Sequence, residues 1–262
     1  MGMMDSLLPQ IWLFIIGFFL LYYAINDGAD LGVGIISLAT RNEGERSILM
    51  ESIDSIWHDN QTWLVVLGGM LFSAFPIFYS IILPALYIPV LLMLFGLALR
   101  GVSFVFRANS RRPGIWSRSF GVGSLIVTLA QGFALGGLLS GLDVQQGVFR
   151  GSVMSWVNPF SSLVALGVLC GYVMLGANYL IFKTTGPIQA RSYRYSFIVS
   201  LLTLCVSLLV HLFIAARYPQ MIRKLTTPPD VYYYPVVHVL AAFCFLMLFV
   251  SLVRKRELAP VL

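Results

Sequence analysis

Asn26-Asp27-Gly28-Ala29-Asp30-Leu31-Gly32-Val33-Gly34 places two acids and three glycines inside an apolar run that begins near Leu8 and ends near Ala39. A helix that continues through this stretch sets both carboxylates near one face, because residues three apart are neighbours on a helix surface. An ionised carboxylate within a bilayer costs about 2.5–3.5 kcal/mol unless it is hydrated or paired. Two readings stand. Asp27 and Asp30 line a hydrated proton or ion route, or the first helix ends near Asn26 and Asp27 caps a second short helix at the interface. Gly28 and Gly32 form a small-xxx-small pair suited to close helix contact.

The rest of the chain says what surrounds this segment. Of its 262 residues 58% are hydrophobic and 11% charged, against roughly 25% charged in soluble domains. That deficit leaves too little charge to cover a soluble globule, and it excludes a cytosolic enzyme, a nucleic-acid binder and a disordered chain. With roughly 20 apolar residues needed per crossing, seven spans are expected: about 8–39, 57–75, 78–99, 122–139, 162–182, 197–216 and 233–253. Pro76 marks a turn between the second and third.

With the N-terminus outside, the inner loops carry thirteen of the 17 Lys and Arg residues, among them Arg41, Arg100, Arg107, Lys183 and Arg256, and the outer loops four. The positive-inside bias therefore sets the N-terminus out and the C-terminus in the cytoplasm, and it also accounts for the net charge of +6. Tyr232, Tyr233 and Tyr234 suit an outer aromatic belt. Cys170, Cys205 and Cys244 each sit alone in an apolar run and read as small hydrophobes. The first run lacks the basic flank of a cleavable signal peptide.

A second polar cluster opens the second span: Trp57-His58-Asp59-Asn60-Gln61-Thr62-Trp63. The topology puts it on the same inner side as Asp27 and Asp30. His58 can titrate near neutral pH and Asp59 beside it can hand protons on; alternatively the cluster is an ordinary helix start anchored by its tryptophans. His211 and His238 fall at matching depth near the outer face, where two histidines either hold a haem iron or hydrogen-bond between helices. No Cys-x-x-Cys-His, phosphate loop or nucleophile motif is present.

The order of these motifs resembles subunit II of the cytochrome bd-type quinol oxidases. Residues 26–34 are similar to that family's DGFDLGVG segment, and Trp57 to Val65, followed by Gly68-Gly69 and Phe75-Pro76, to its WDGNxxWLV stretch. Arg100-Gly101-Val102-Ser103-Phe104-Val105-Phe106-Arg107 is similar to its RGVxFEFR loop. Asn158-Pro159-Phe160, Gly176-Ala177-Asn178-Tyr179-Leu180, Lys183-Thr184 and Gly186 follow in the family's order.

The resemblance implies an all-α integral membrane protein, an antiparallel helix bundle. The family fold has nine helices in two four-helix bundles plus a peripheral helix. One membrane-embedded domain, 1–262, then divides into a first bundle at about 8–140 and an incomplete second at about 158–254, the last two family helices being absent.

It further implies a non-haem subunit of a complex in a bacterial or archaeal cell membrane that oxidises quinol and reduces oxygen to water. This chain binds no cofactor itself. Haems b and d belong to subunit I, and a small single-helix third subunit, lipid and quinone are the other expected partners. The proton path would use Asp27, Asp30, His58 and Asp59. Trp57, Asn60, Trp63, Gly28, Gly32, Gly34, Arg100 and Arg107 would carry structure and interface.

Three departures stand out. His58 occupies the position of a family carboxylate and Asp59 that of the next glycine, about 100° around the helix. Val105 replaces an acid. The chain ends at Leu262 where an eighth helix begins in the family, as a fragment or a shortened variant would. Two other readings compete: a secondary transporter with a broken first helix at its binding site, and an independent electron carrier with haem between His211 and His238.

Overall fold

A computed structural model describes residues 3–218, 223–228 and 230–255, with side chains for 7–218, 223–228 and 234–255. The side chains of Tyr232 and Tyr233, and all of Arg256 and Leu262, lie outside that description. The chain runs α1 (Met3–Ala39), α2 (Glu43–Ile53), α3 (Trp57–Ala74), α4 (Pro76–Ala85), α5 (Tyr87–Asn109) and α6 (Pro113–Leu139). A hairpin of β1 (Val144–Gln145) and β2 (Val148–Phe149) follows, then α7 (Pro159–Lys183), α8 (Gly186–Arg217) and α9 (Asp230–Val253). Six of the helices, α1, α5, α6, α7, α8 and α9, are long and apolar enough to cross a membrane. The second expected span, α3, is an 18-residue helix outside that set, and its first turn carries the polar cluster at 58–61.

Helix boundaries follow local chemistry. Proline opens α4, α6 and α7 in the first turn, where its missing N–H has no helical partner to lose. Asn42 caps α2, its side chain accepting from Gly44 N at 2.8 Å. Asn158 caps α7 through Ser161 N at 2.9 Å. The hairpin turns on Gln146 (φ 53°) and Gly147 (φ 77°), two left-handed residues in the pattern that matches strand twist.

Three expectations need correction. The third span does not run from 78 to 99. Helix breaks at Leu86 (φ −112°, ψ 22°) separate the ten-residue α4 from α5, which continues to Asn109. Arg100 to Arg107 is consequently helix rather than loop, and Arg100 is wholly buried, so it drops out of the inner-loop charge count. A charge read as a terminator continues the helix because it finds a counter-charge across the bundle. Finally, the inner loop expected between the first two spans is largely helix, α2. In α2, Leu49, Met50 and Ile53 are buried against Val33, Ile36, Phe120, Ala177 and Leu180, closing the C-terminal ends of α1 and α7 and the N-terminal end of α6.

The helices meet through small residues. A Cβ on Gly32 would lie 1.9 Å from Tyr172 O, and one on Gly176 would lie 2.5 Å from Gly32 C. Backbone therefore meets backbone where α1 crosses α7, as small residues allow in membranes. Gly96 and Gly123 do the same between α5 and α6, each Cβ position 2.8 Å from the other's carbonyl oxygen. This closeness brings polar side chains of four helices within bonding reach of one another.

Candidate functional site: a buried polar cluster

Helix α1 is unbroken through Asp27 and Asp30, and both side chains are fully buried. The reading in which the first helix stops near Asn26 is thereby overturned: glycine-rich packing on both sides shields the segment and no cap is needed. Tyr23, Asp27 and Asp30 stack along one face and reach three different neighbours.

Asp27 is held twice. Arg100 of α5 donates from Nη1 to Oδ1 at 3.1 Å, with both side chains at 0% exposure, and Tyr23 donates its hydroxyl to Oδ2 at 2.8 Å. The network then crosses to α6 and α7. Gln131 Nε2 donates to the Tyr23 hydroxyl at 2.7 Å, and Tyr172 donates to Gln131 Oε1 at 2.8 Å. The Arg100 guanidinium also lies 5.5 Å from the centre of the Phe120 ring, and its Nε and Nη2 have no hydrogen-bond partner.

Asp30 is held differently. Asn60 of α3 donates from Nδ2 to Oδ2 at 2.7 Å, while Oδ1 is buried without a partner. Beside it, a cavity of about 140 Å³ opens between α1, α3 and α7, lined by Asn26, Ala29, Asn60, Leu175, Asn178 and Tyr179 among others. Three asparagines and Tyr179 interrupt an otherwise apolar wall that includes Ile25 and Ile56, and the volume has room for several waters. Asn178 is itself fixed by the Ser196 hydroxyl.

The remaining expected site residues divide. Gly28 and Gly34 sit at tight contacts, against the Tyr172 ring and Ser124 respectively. Trp57 stacks on Phe104 at 4.9 Å and Trp63 on Phe19 at 5.0 Å. His58 and Asp59 are exposed; the structure brings Asn60, not either of them, to Asp30. Val105 is 65% exposed.

Arg107 joins a network at the C-terminal end of α5. It donates from Nε to Ser117 Oγ at 2.9 Å and lies 3.7 Å from Glu43 Oε1. Glu43 also receives Arg46 Nη1 at 3.1 Å and the Ser117 hydroxyl. Burial pushes the Glu43 carboxyl up. The Ser117 and Arg46 hydrogen bonds and the charges of Arg46 and Arg107 outweigh that, so it titrates below its usual range.

Tyr23, Gln131 and Tyr172 went unread in the sequence, although an amide in the middle of an apolar span was a visible signal. His211 and His238 do meet, Nε2 to Nε2 at 3.2 Å. That separation leaves no room for a porphyrin plane between them, so the haem reading fails. Among the described residues no three His, Cys, Asp or Glu side chains gather as a metal site. The transporter reading loses its broken first helix.

Residues 8–262 match the cytochrome bd terminal oxidase subunit II family. Subunit 2 of the cytochrome bd-I ubiquinol oxidase of Escherichia coli (strain K12) is 31% identical over 208 residues, 76% of this chain and 55% of that protein. A probable cytochrome oxidase subunit 2 of Haemophilus influenzae is 32% identical over 216 residues, 79% of this chain and 57% of that protein. The chain thus spans about half the length of the curated relatives it matches. Among solved structures, the bd oxidase of Geobacillus thermodenitrificans has the same fold, with TM-score 0.79 over 97% of this chain and 78% of that chain at 18% identity.

Proposed function

Because the chain belongs to the cytochrome bd terminal oxidase subunit II family, we propose that it is the non-haem subunit of a quinol:oxygen oxidoreductase and conducts protons toward it from the cytoplasm. The setting is a bacterial inner membrane, with the N-terminus outside and the C-terminus cytoplasmic. The partner is a haem-bearing subunit I, joined by a small third subunit, and the substrate is a membrane quinol. Haems held by subunit I supply the chemistry of oxygen reduction, which consumes protons. Residues of this chain govern how those protons cross apolar territory.

One observation carries the reading: two fully buried carboxylates on one helix face, only one of which is neutralised by a cation. Asp27 is clamped by Arg100 and serves as a fixed charge. Asp30 has an unpartnered Oδ1, and Asn60, which holds its other oxygen, lines the adjoining cavity, so a proton on the carboxyl or a water from the cavity completes its bonding.

The asparagine and glutamine amides of Asn60 and Gln131 orient their neighbours without relaying protons, since an amide does not readily exchange its own hydrogens along a chain. Water in the cavity is therefore the carrier that reaches Asp30. His58 and Asp59, exposed in the first turn of α3 just before Asn60, are the groups that first collect protons. Tyr23, Gln131 and Tyr172 lock α1, α6 and α7 around Asp27.

The test is oxygen consumption by the assembled complex at saturating quinol. Asp30→Asn keeps the shape and the Asn60 contact but cannot carry the proton, and is expected to slow turnover about tenfold with haem spectrum and subunit composition unchanged. Asp27→Asn slows it as well. Unchanged turnover in both variants would overturn the proton route.

A further inference from the structure

The two histidines on α8 and α9 play no part in the proposed proton route, yet their geometry is specific. His211 Nδ1 lies 2.7 Å from Ser207 O, and His238 Nδ1 lies 2.8 Å from Tyr234 O. A carbonyl oxygen only accepts, so both Nδ1 atoms carry hydrogen and both neutral rings present a bare lone pair at Nε2. Those two Nε2 atoms are 3.2 Å apart.

A neutral pair cannot satisfy this arrangement. Moving one hydrogen to Nε2 to bridge the rings strips the Nδ1 of that ring and sets its lone pair against a carbonyl. A cation between the Nε2 atoms satisfies all four ring nitrogens of this exposed pair at once.

We infer that His211 and His238 form a transition-metal site for Zn²⁺ or Cu²⁺ that ties α9 to α8. Imidazole suits both ions. At metal–nitrogen distances of about 2.0–2.1 Å, neighbouring ligand nitrogens stand roughly 3.3 Å apart in a tetrahedron and roughly 2.9 Å apart in an octahedron. The observed 3.2 Å falls between these values. The backbone carbonyl on the far nitrogen of each ring is the usual partner that sets the tautomer of a metal-ligating histidine. The Tyr234 ring, 4.3 Å from that of His238, covers one side of the pair. Water fills the remaining positions.

The location gives the bond a purpose. His211 is six residues before the end of α8 at Arg217 and His238 eight after the start of α9 at Asp230, about 9 and 12 Å from those ends. Helix α9 packs mainly on α8 and leaves Val236, Val237, Val239 and Leu240 more than half exposed. A metal cross-link near the outer ends compensates for that thin packing.

The experiment uses the untagged, chelator-stripped oxidase complex titrated with Cu²⁺ and followed by electron paramagnetic resonance. One tight equivalent with two coordinated imidazoles is expected, displaced by Zn²⁺. His211→Gln and His238→Gln should each weaken it at least about tenfold, the double variant no further, and His58→Gln should leave it intact. The imidazole count on the unsubstituted complex needs no variant to fold. Fewer than two imidazoles, loss of the signal in His58→Gln, or a pair that takes up only a proton would overturn the assignment. None of these outcomes depends on the proton route through Asp30.

Discussion

Replacing Asp27 by leucine asks whether the buried ion pair is held by its own two members. Arg100 Nη1 lies 3.1 Å from Asp27 Oδ1 with neither side chain exposed, and Arg100 Nε and Nη2 already lack partners. Asp27→Leu therefore leaves a guanidinium with no counter-charge and no route to water. Breaking a buried pair from one side costs about 3–5 kcal/mol, roughly two to nearly four powers of ten in the folded-to-unfolded ratio. Arg100→Leu does comparable damage, since the Tyr23 hydroxyl alone remains on Asp27.

The double variant should recover a large part of the loss, because it leaves neither charge buried without its partner. The assay is reversible unfolding in mixed detergent micelles of all four proteins of the cycle. A coupling energy of about 2 kcal/mol or more is expected. Losses that add within about 0.5 kcal/mol would refute the argument that each charge exists for the other.

Other predictions concern packing, pH and the proton route. Gly32→Ala drives a Cβ to 1.9 Å from Tyr172 O and should lower stability by about 1–3 kcal/mol or more, read as a reduced yield of folded protein; Gly171→Ala, with nothing within 4 Å, should be tolerated. The Glu43 carboxyl is depressed by its partners, so its stabilisation is complete above its ordinary value of 4.5 and disappears as pH falls through the lowered one. Unfolding curves of the native chain and Glu43→Gln should accordingly converge under acid and separate near neutral pH. His58→Ala, exposed in the first turn of α3, should slow oxygen consumption less than Asp30→Asn; a larger effect would shift the route away from the cavity.

Composition alone settled the solvent of this protein: with so few charges among so many apolar residues, no arrangement of the chain covers itself in water. Motif order pointed to the family, and the helical spacing of Asp27 and Asp30 already placed two carboxylates on one face. What lay beyond reach was who meets them. Arg100, 73 residues from Asp27, read as a loop charge because hydropathy along a chain cannot distinguish a charge facing water from one neutralised by another helix.

The neighbours of Asp30 were a question of rotation. Each step along α3 turns a side chain by about 100°, so His58, Asp59 and Asn60 point in three directions, and only the packing of α3 on α1 selects Asn60. Tyr23, Gln131 and Tyr172 come from three helices, and their hydrogen bonds exist only once glycine contacts have drawn those helices together. Local chemistry set what each helix is; distances between helices, which no single segment encodes, set what the buried acids can do.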